Sequence, residues 1–306
     1  MAQPAATPLP APIPLFVNPR SGSATKVISA LRDDARFALR EVDPQVLEEE
    51  VTRAVTEGAR RIAVSGGDGT VATAMQALVR SPAELAVLPG GTLNHFVQVH
   101  GIPSDPAAAA DVAVTGVATP IDLATVNGRV FHNTSSVGAY ILFVQTRERM
   151  ERWLPYRAAS VAAFVAVFAR LRPFRVTLDV EGTERHYRSP LLFVAVGERE
   201  GKLPALGTRL TGGRRGLQVI VVRGRTRAGM LSLALAAAAR GVKEVARTPH
   251  LDTFIVDHFR VELRRPWGNV AADGELHVMR APLEYRLVQN GIRLVVPRAE
   301  GGRREG

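Results

Sequence analysis

The chain of 306 residues contains no cysteine. Disulfides, thiolate metal sites and cysteine nucleophiles are thereby excluded. Aromatic residues make up only 6%. Platforms for stacking bases are scarce and no basic helix repeats at groove spacing, so nucleic acid is not an expected partner. The seven histidines never form H-x-x-x-H with a third ligand nearby, and His250 and His258 stand eight residues apart, so they predict no metal site. The signatures G-x-x-x-x-G-K-[ST], G-x-G-x-x-G and G-x-S-x-G are all missing. No apolar run reaches the length of a membrane span; the longest are Ala158–Ala169 and Ala228–Ala239. Met1–Pro14 is rich in Ala and Pro without a basic start and reads as a loose tail rather than a signal peptide.

Hydrophobic residues, by contrast, make up 46%, enough for a sizeable core, and the length suits two domains. Lys and Arg number 39 against 29 Asp and Glu, a net charge of +10. That excess fits phosphate-rich ligands, nucleic acid or an anionic membrane surface without choosing among them.

The most informative stretch is Ile62–Thr73. An apolar strand ends at Ser65; Gly66, Gly67, Asp68, Gly69 and Thr70 follow; then Val71, Met75, Leu78 and Val79 recur at helical spacing. Strand, glycine loop and helix start together make a phosphate cradle, since glycine permits positive φ and close approach, and the first helical N–H groups lack partners. An ordinary tight turn is the alternative. Asp68 favours the cradle, because a carboxylate beside phosphate calls for a bridging cation such as Mg²⁺.

Two further strands, Leu15–Val17 and Leu85–Leu88, also run into small polar loops, at Asn18–Ser23 and Pro89–Asn94. Helices are expected over Ala24–Leu31, Gln45–Gly58 and Val71–Val79, with a strand near Phe37–Leu39. This alternation predicts a parallel sheet whose loops share the carboxyl edge, where ligands bind.

Beyond residue 120 the pattern turns to strands. Asn127-Gly128, Glu181-Gly182, Asp273-Gly274 and Asn290-Gly291 each separate two β-type runs and predict hairpins. Leu191–Val196, Leu217–Val222 and Thr253–Leu263 read as strands, and Arg152–Leu171 and Arg227–Arg247 as helices. The expected division is a tail over 1–13, a nucleotide-binding α/β domain over 14–120, a β-rich substrate domain over 121–298 and a tail over 299–306.

Four motifs in this order, Asn18-Pro19-Arg20-Ser21-Gly22, Gly66-Gly67-Asp68-Gly69-Thr70, Leu88–Asn94 and Asp273-Gly274-Glu275, resemble the diacylglycerol kinase-like lipid kinases, a family that includes sphingosine and ceramide kinases. The resemblance runs from about Leu15 to Pro297. It implies an N-terminal α/β domain, a C-terminal β-sandwich and an active site in the cleft between them, with ATP phosphorylating a lipid hydroxyl. It implies that Asn18, Pro19, Arg20, Ser21 and Gly22 line the phosphates, that Gly66–Thr70 form the main loop, and that Gly91, Thr92 and Asn94 lie near the nucleotide. Asp68 would act catalytically through Mg²⁺-nucleotide, and Asp273 or Glu275 would be the general base. Without the resemblance, Asp273-Gly274 is a hairpin turn.

The chain departs from that pattern in places. His95 stands where relatives often have Asp, and Arg40-Glu41-Val42 where a threonine commonly lies near adenine. Gly213–Gln218 places Arg214 and Arg215 where bacterial relatives carry acids that hold a structural magnesium. No such magnesium is therefore expected. The reading is a lipid kinase using ATP and Mg²⁺, cytoplasmic and peripherally membrane-associated. Its acceptor would be diacylglycerol first, ceramide or a sphingoid base second. The rivals are an NAD kinase-like enzyme and a non-catalytic nucleotide- or lipid-binding regulator.

Overall fold

The computed structural model describes residues 11–91, 94–138, 174–180, 182–199, 209–210, 212–222, 251–263 and 265–298, with shorter pieces between 143 and 167. The chain forms two compact units, one of Met1–Ile121 with Asn290–Gly306 and one of Asp122–Gln289.

In the first unit, β1 (Ile13–Val17), α1 (Ala24–Leu31), β2 (Phe37–Glu41), α2 (Leu47–Thr56), β3 (Arg61–Gly66), α3 (Asp68–Leu78) and β4 (Glu84–Pro89) alternate as expected. The strands run parallel in the order β2-β1-β3-β4. Ile62, Ala63, Val64 and Ser65 of β3 are fully buried, as in a parallel strand covered on both faces. Two helices complete the unit: α4 (His95–Val99) and α5 (Pro106–Thr115). The second has a legible start that the sequence reading passed over. Asp105 accepts from Ala108 N at 2.9 Å and Pro106 follows at the first helical position.

The strand β5 (Val117–Val126) leads into the second unit, which adds β6 (Arg129–Phe131), β7 (Thr134–Gly138), β8 (Phe174–Val180), β9 (Thr183–Ser189), β10 (Leu191–Val196), β11 (Leu217–Val222), β12 (Leu251–Val256), β13 (His258–Leu263), β14 (Trp267–Ala272), β15 (Glu275–Arg280) and β16 (Leu283–Val296). One antiparallel sheet has the order β12-β11-β10-β7-β14-β15. Facing it, the first half of β16 pairs with β13, then β8 and β9, also antiparallel. Val194, Val219 and Val221 of one sheet share a core with Leu178, Phe259, Val261 and Tyr285 of the other. Tyr285 stacks on Phe259 at 4.7 Å, and its hydroxyl bonds Ser135 Oγ at 3.1 Å. This is the expected β-sandwich.

Two local expectations fail. Asn290-Gly291 is no hairpin: β16 runs unbroken through it and its end pairs in parallel with β4. Asn290 takes φ 51° while Gly291 continues the strand, so the backbone kinks without reversing. Thr253–Leu263 is not one strand but β12 and β13, broken at Asp257. The predicted helix Arg227–Arg247, half of Arg152–Leu171 and both terminal tails lie outside the described residues, apart from 11–13; of the described part, 152–155 are not helical while 158, 159, 162, 163, 166 and 167 are. No helix among the described residues is long and apolar enough to cross a membrane.

Candidate active site

Three loops meet at the carboxyl ends of β1, β3 and β4. The first begins where Asn18 N donates to Ser65 O at 3.0 Å and ends where Ser23 N donates to Gly90 O at 2.9 Å. Inside it, Arg20 N donates to Asn18 Oδ1 at 3.0 Å and Ser21 Oγ to Asn18 O at 2.8 Å. The Arg20 side chain is exposed and pairs with Asp43 at 2.8 Å.

The second loop enters α3. Gly67 is its N-cap, extended at φ −81° and ψ −177°, and no side chain caps the helix. That start lies at the positive end of the helix dipole, where N–H groups have no partner within the helix. Thr70 is buried, and its Oγ1 accepts from Asn18 Nδ2 at 3.1 Å. Gly69 O accepts from Thr73 Oγ1 at 3.1 Å.

The third loop is closed by Asn94. Its Oδ1 accepts from Gly91 N and its Nδ2 donates to Gly91 O, both at 2.8 Å. Asn94 takes a left-handed φ of 46°, which Asn tolerates better than most residues. Thr92 lies outside the described residues, as does the side chain of His95.

The glycines serve contact between loops rather than positive φ. A Cβ on Gly90 would stand 2.5 Å from Gly66 N, and one on Gly91 2.5 Å from Gly67 Cα. A Cβ on Gly66 would meet Thr70 Oγ1 at 2.3 Å. None of Gly66, Gly67, Gly90 and Gly91 has a left-handed backbone. The positive φ expected from the sequence is therefore corrected. At the base of the loops Ser65 Oγ is buried with no hydrogen-bond partner among the described residues.

Asp68 sits in the first turn of α3, and its Oδ1 accepts from Phe96 N at 3.1 Å. It thus pins the exit of the third loop. No group of three or more His, Cys, Asp or Glu among the described residues could hold a metal alone. A single carboxylate at a helix start suits Mg²⁺ carried on phosphate oxygens, the usual way that ion is held.

In the second unit, Asp273 and Gly274 form the β14–β15 turn with φ of 48° and 89°. The Asp273 carboxylate accepts from His132 N at 2.8 Å, Asn133 N at 2.9 Å and Thr134 N at 3.0 Å. Its side chain is 7% exposed. Glu275 is a contrast: 48% exposed, 3.3 Å from Arg129 and 3.8 Å from His277 Nε2. Burial, helped by Arg129 and opposed by Glu275, holds the His277 imidazole below the usual histidine range.

Sequence reasoning missed the groups behind Asp273. The guanidinium of Arg199 donates to the side chain and carbonyl of Asn133, whose N–H in turn binds Asp273. Burial, then Arg209, lowers the Arg199 pKa, and Asp273 opposes both. Arg215 grips the Asp122 carboxylate, its Nε at 3.0 Å, and Arg209 stands 3.5 Å away. The Asp122 side chain is 5% exposed. These contacts join residues 66 to 93 positions apart, and no local spacing announces them.

The family model for the diacylglycerol kinase catalytic domain matches residues 12–126, which hold all three loops. Residues 12–126 belong to the diacylglycerol kinase catalytic domain family. A "Diacylglycerol kinase" of Mycobacterium tuberculosis is 32% identical over 182 residues, 55% of this chain and 59% of that protein. The chain thus matches less than two thirds of that relative's length. A "Probable lipid kinase YegS-like" of Pseudomonas putida is 29% identical over 250 residues, covering 80% of this chain and 76% of that one. Among solved structures, a diacylglycerol kinase from Bacillus anthracis str. Sterne superposes with a TM-score of 0.63 at 18% identity, covering 94% of this chain and 97% of that one. At that identity the likeness speaks for the fold. The chain thus shares the fold of that structure, and residues 12–126 match the catalytic domain model.

Proposed function

We propose that this protein is an ATP-dependent lipid kinase, with diacylglycerol the first candidate acceptor and ceramide or a sphingoid base the second. The observation that carries the reading is the uncapped start of α3, framed by two other loops and lying inside the family-matched residues. Asn18–Gly22, Gly66–Thr70, Gly91, Thr92 and Asn94 would hold the nucleotide. Asp68 would hold Mg²⁺ through the nucleotide, and the ion would offset charge on the phosphates. Phosphoryl transfer needs chiefly positioning and charge neutralisation, which this small set can supply.

In the step itself, the acceptor oxygen bonds to the γ-phosphorus as the bond to the β–γ bridging oxygen breaks. The hydroxyl proton passes to a carboxylate, and ADP leaves. Glu275 is the better base. Asp273 already accepts three backbone N–H groups, whereas Glu275 is half exposed and bound on one oxygen. Asp273 would then fix the hairpin that carries Glu275.

The protein would work in the cytoplasm, attached reversibly to anionic membranes by its excess of Arg and Lys. Exposed Trp153, beside Arg152, supports surface contact. The test is incubation with γ-labelled ATP, Mg²⁺ and a panel of diacylglycerol, ceramide, sphingoid base and NAD. Label in a lipid supports the reading; label in NAD alone, or in nothing, overturns it.

A further inference from the structure

At the other end of β4 from the glycine loops lies a cavity lined in part by arginine. The cavity, of about 480 Å³, is lined by Arg80, Ser81, Pro82, Ala118, Pro120, Asn290 and Arg293. All belong to the first unit. Its lining residue Arg293 pairs in register with Glu84, where β4 begins, whereas Gly90 and Gly91 follow the strand's end. Six strand residues rise roughly 3.3 Å each, so the two sites are well separated.

The cavity has more positive charge than its neighbours neutralise. Glu84 is taken by Arg61 at 2.7 Å and offers Arg293 only a 3.4 Å contact. No carboxylate among the described residues pairs with Arg80.

The backbone of Arg80 gives a second, independent sign. It follows Val79, the C-cap of α3, and takes φ 61°. Its N–H donates to Gly291 O at 2.8 Å, which fixes that conformation. This is the position after a helix where glycine is favoured, because a side chain is strained in left-handed backbone. Asn290, which also lines the cavity, meets the same demand, φ 51°, with a residue suited to it. An arginine at position 80 is costly for the fold, which points to a use for its side chain.

We infer that this cavity binds a phosphate-bearing anion between the Arg80 and Arg293 guanidinium groups, apart from the nucleotide loops. Guanidinium forks suit phosphate oxygens, and two of them on one concave wall can grip one dianion. The anion is either a free phosphate compound or the headgroup of an anionic lipid.

The test uses the full chain and three variants: Arg80→Gly, Arg293→Gln and the Arg80→Gln/Arg293→Gln pair. A crystal soaked in tungstate, a phosphate analogue, should show a heavy-atom peak between the two guanidinium groups. The pair should weaken phosphate binding there at least tenfold, measured with ATP present so that the glycine loops are filled. Arg80→Gly should fold at least as stably as the parent without phosphate, since glycine relieves the strained backbone, yet lose the response to added phosphate. Absence of the tungstate peak, or an unchanged phosphate response in the pair, overturns the site. So does loss of stability in phosphate-free Arg80→Gly, which would make the side chain a support of the fold. Vesicles separate the two sources. Binding to phosphatidylglycerol vesicles that falls in the pair assigns a lipid headgroup; variant-insensitive vesicle binding alongside variant-sensitive phosphate binding assigns a soluble anion.

Discussion

Asn18 Nδ2 donates to Thr70 Oγ1 at 3.1 Å, joining the first loop to the first turn of α3 across 52 residues of chain. This bond fixes the spacing of the two loops that would hold the phosphates. Thr70→Val keeps the shape and removes the acceptor. Net loss of one such bond costs about 1 kcal/mol of stability. The expected kinetic effect is a raised KM for ATP with a smaller change in kcat, measured at fixed lipid concentration.

The glycines make a steric prediction. Gly91→Ala would place a Cβ 2.5 Å from Gly67 Cα, so one loop must move. Overpacking of this kind costs about 1–3 kcal/mol. The thermal midpoint should fall and ATP binding weaken together. Gly128→Ala is the control: its added Cβ meets no atom within 4 Å, but φ is 83°, so stability falls from backbone strain and ATP binding is unchanged.

Asp68→Asn separates charge from structure. The amide oxygen can still accept from Phe96 N, so the melting temperature should hold. Loss of the negative charge should cost about 3 kcal/mol of transition-state stabilisation, the scale of other electrostatic catalytic groups. Turnover at the parent rate would remove Asp68 from the nucleotide's metal.

The two carboxylates of the second unit should part company. Asp273→Asn turns an amide NH₂ toward backbone N–H groups that now bind the carboxylate, so it should destabilise the β14–β15 hairpin. Glu275→Gln is exposed and should leave stability within about 0.5 kcal/mol. Its kcat should nonetheless collapse with nucleotide affinity unchanged.

His277 gives a pH prediction. Its pKa in the folded protein lies below the ordinary 6.5, chiefly through burial. The unfolded chain therefore binds more protons near that pH, and stability rises with pH there. The contribution is full above 6.5 and is lost as pH falls from that value toward the lowered folded one. In denaturant titrations across this range, His277→Gln should flatten the slope.

The alternating elements of the first unit were legible because apolar period and glycine punctuation coincide at Ile62–Thr73. The hairpin at Asn127-Gly128 was legible for a related reason, since both residues take positive φ, 48° and 83°. The same dipeptide misled at Asn290-Gly291. There only the Asn is left-handed, and pairing of Arg293 and Leu294 with β4 holds the strand straight on. Local chemistry cannot show a partner that lies some two hundred residues away. The glycine motifs were legible, but positive φ is not the reason for Gly66, Gly67, Gly90 and Gly91. Gly90 and Gly91 are needed by the backbones of Gly66 and Gly67, and Gly66 by the Thr70 side chain, contacts that spacing does not reveal. Arg199 and Asn133 stayed hidden likewise, because they reach Asp273 only through the folded sheet.

The most direct measurement is transfer of label from γ-labelled ATP to diacylglycerol presented in phosphatidylglycerol vesicles with Mg²⁺. The parent chain, Asp68→Asn and Glu275→Gln are assayed side by side. The account predicts labelled phosphatidic acid from the parent and at least a hundredfold less from each variant, with both variants folded. Equal labelling by all three would contradict it, as would no labelled lipid from the parent with any acceptor in the panel.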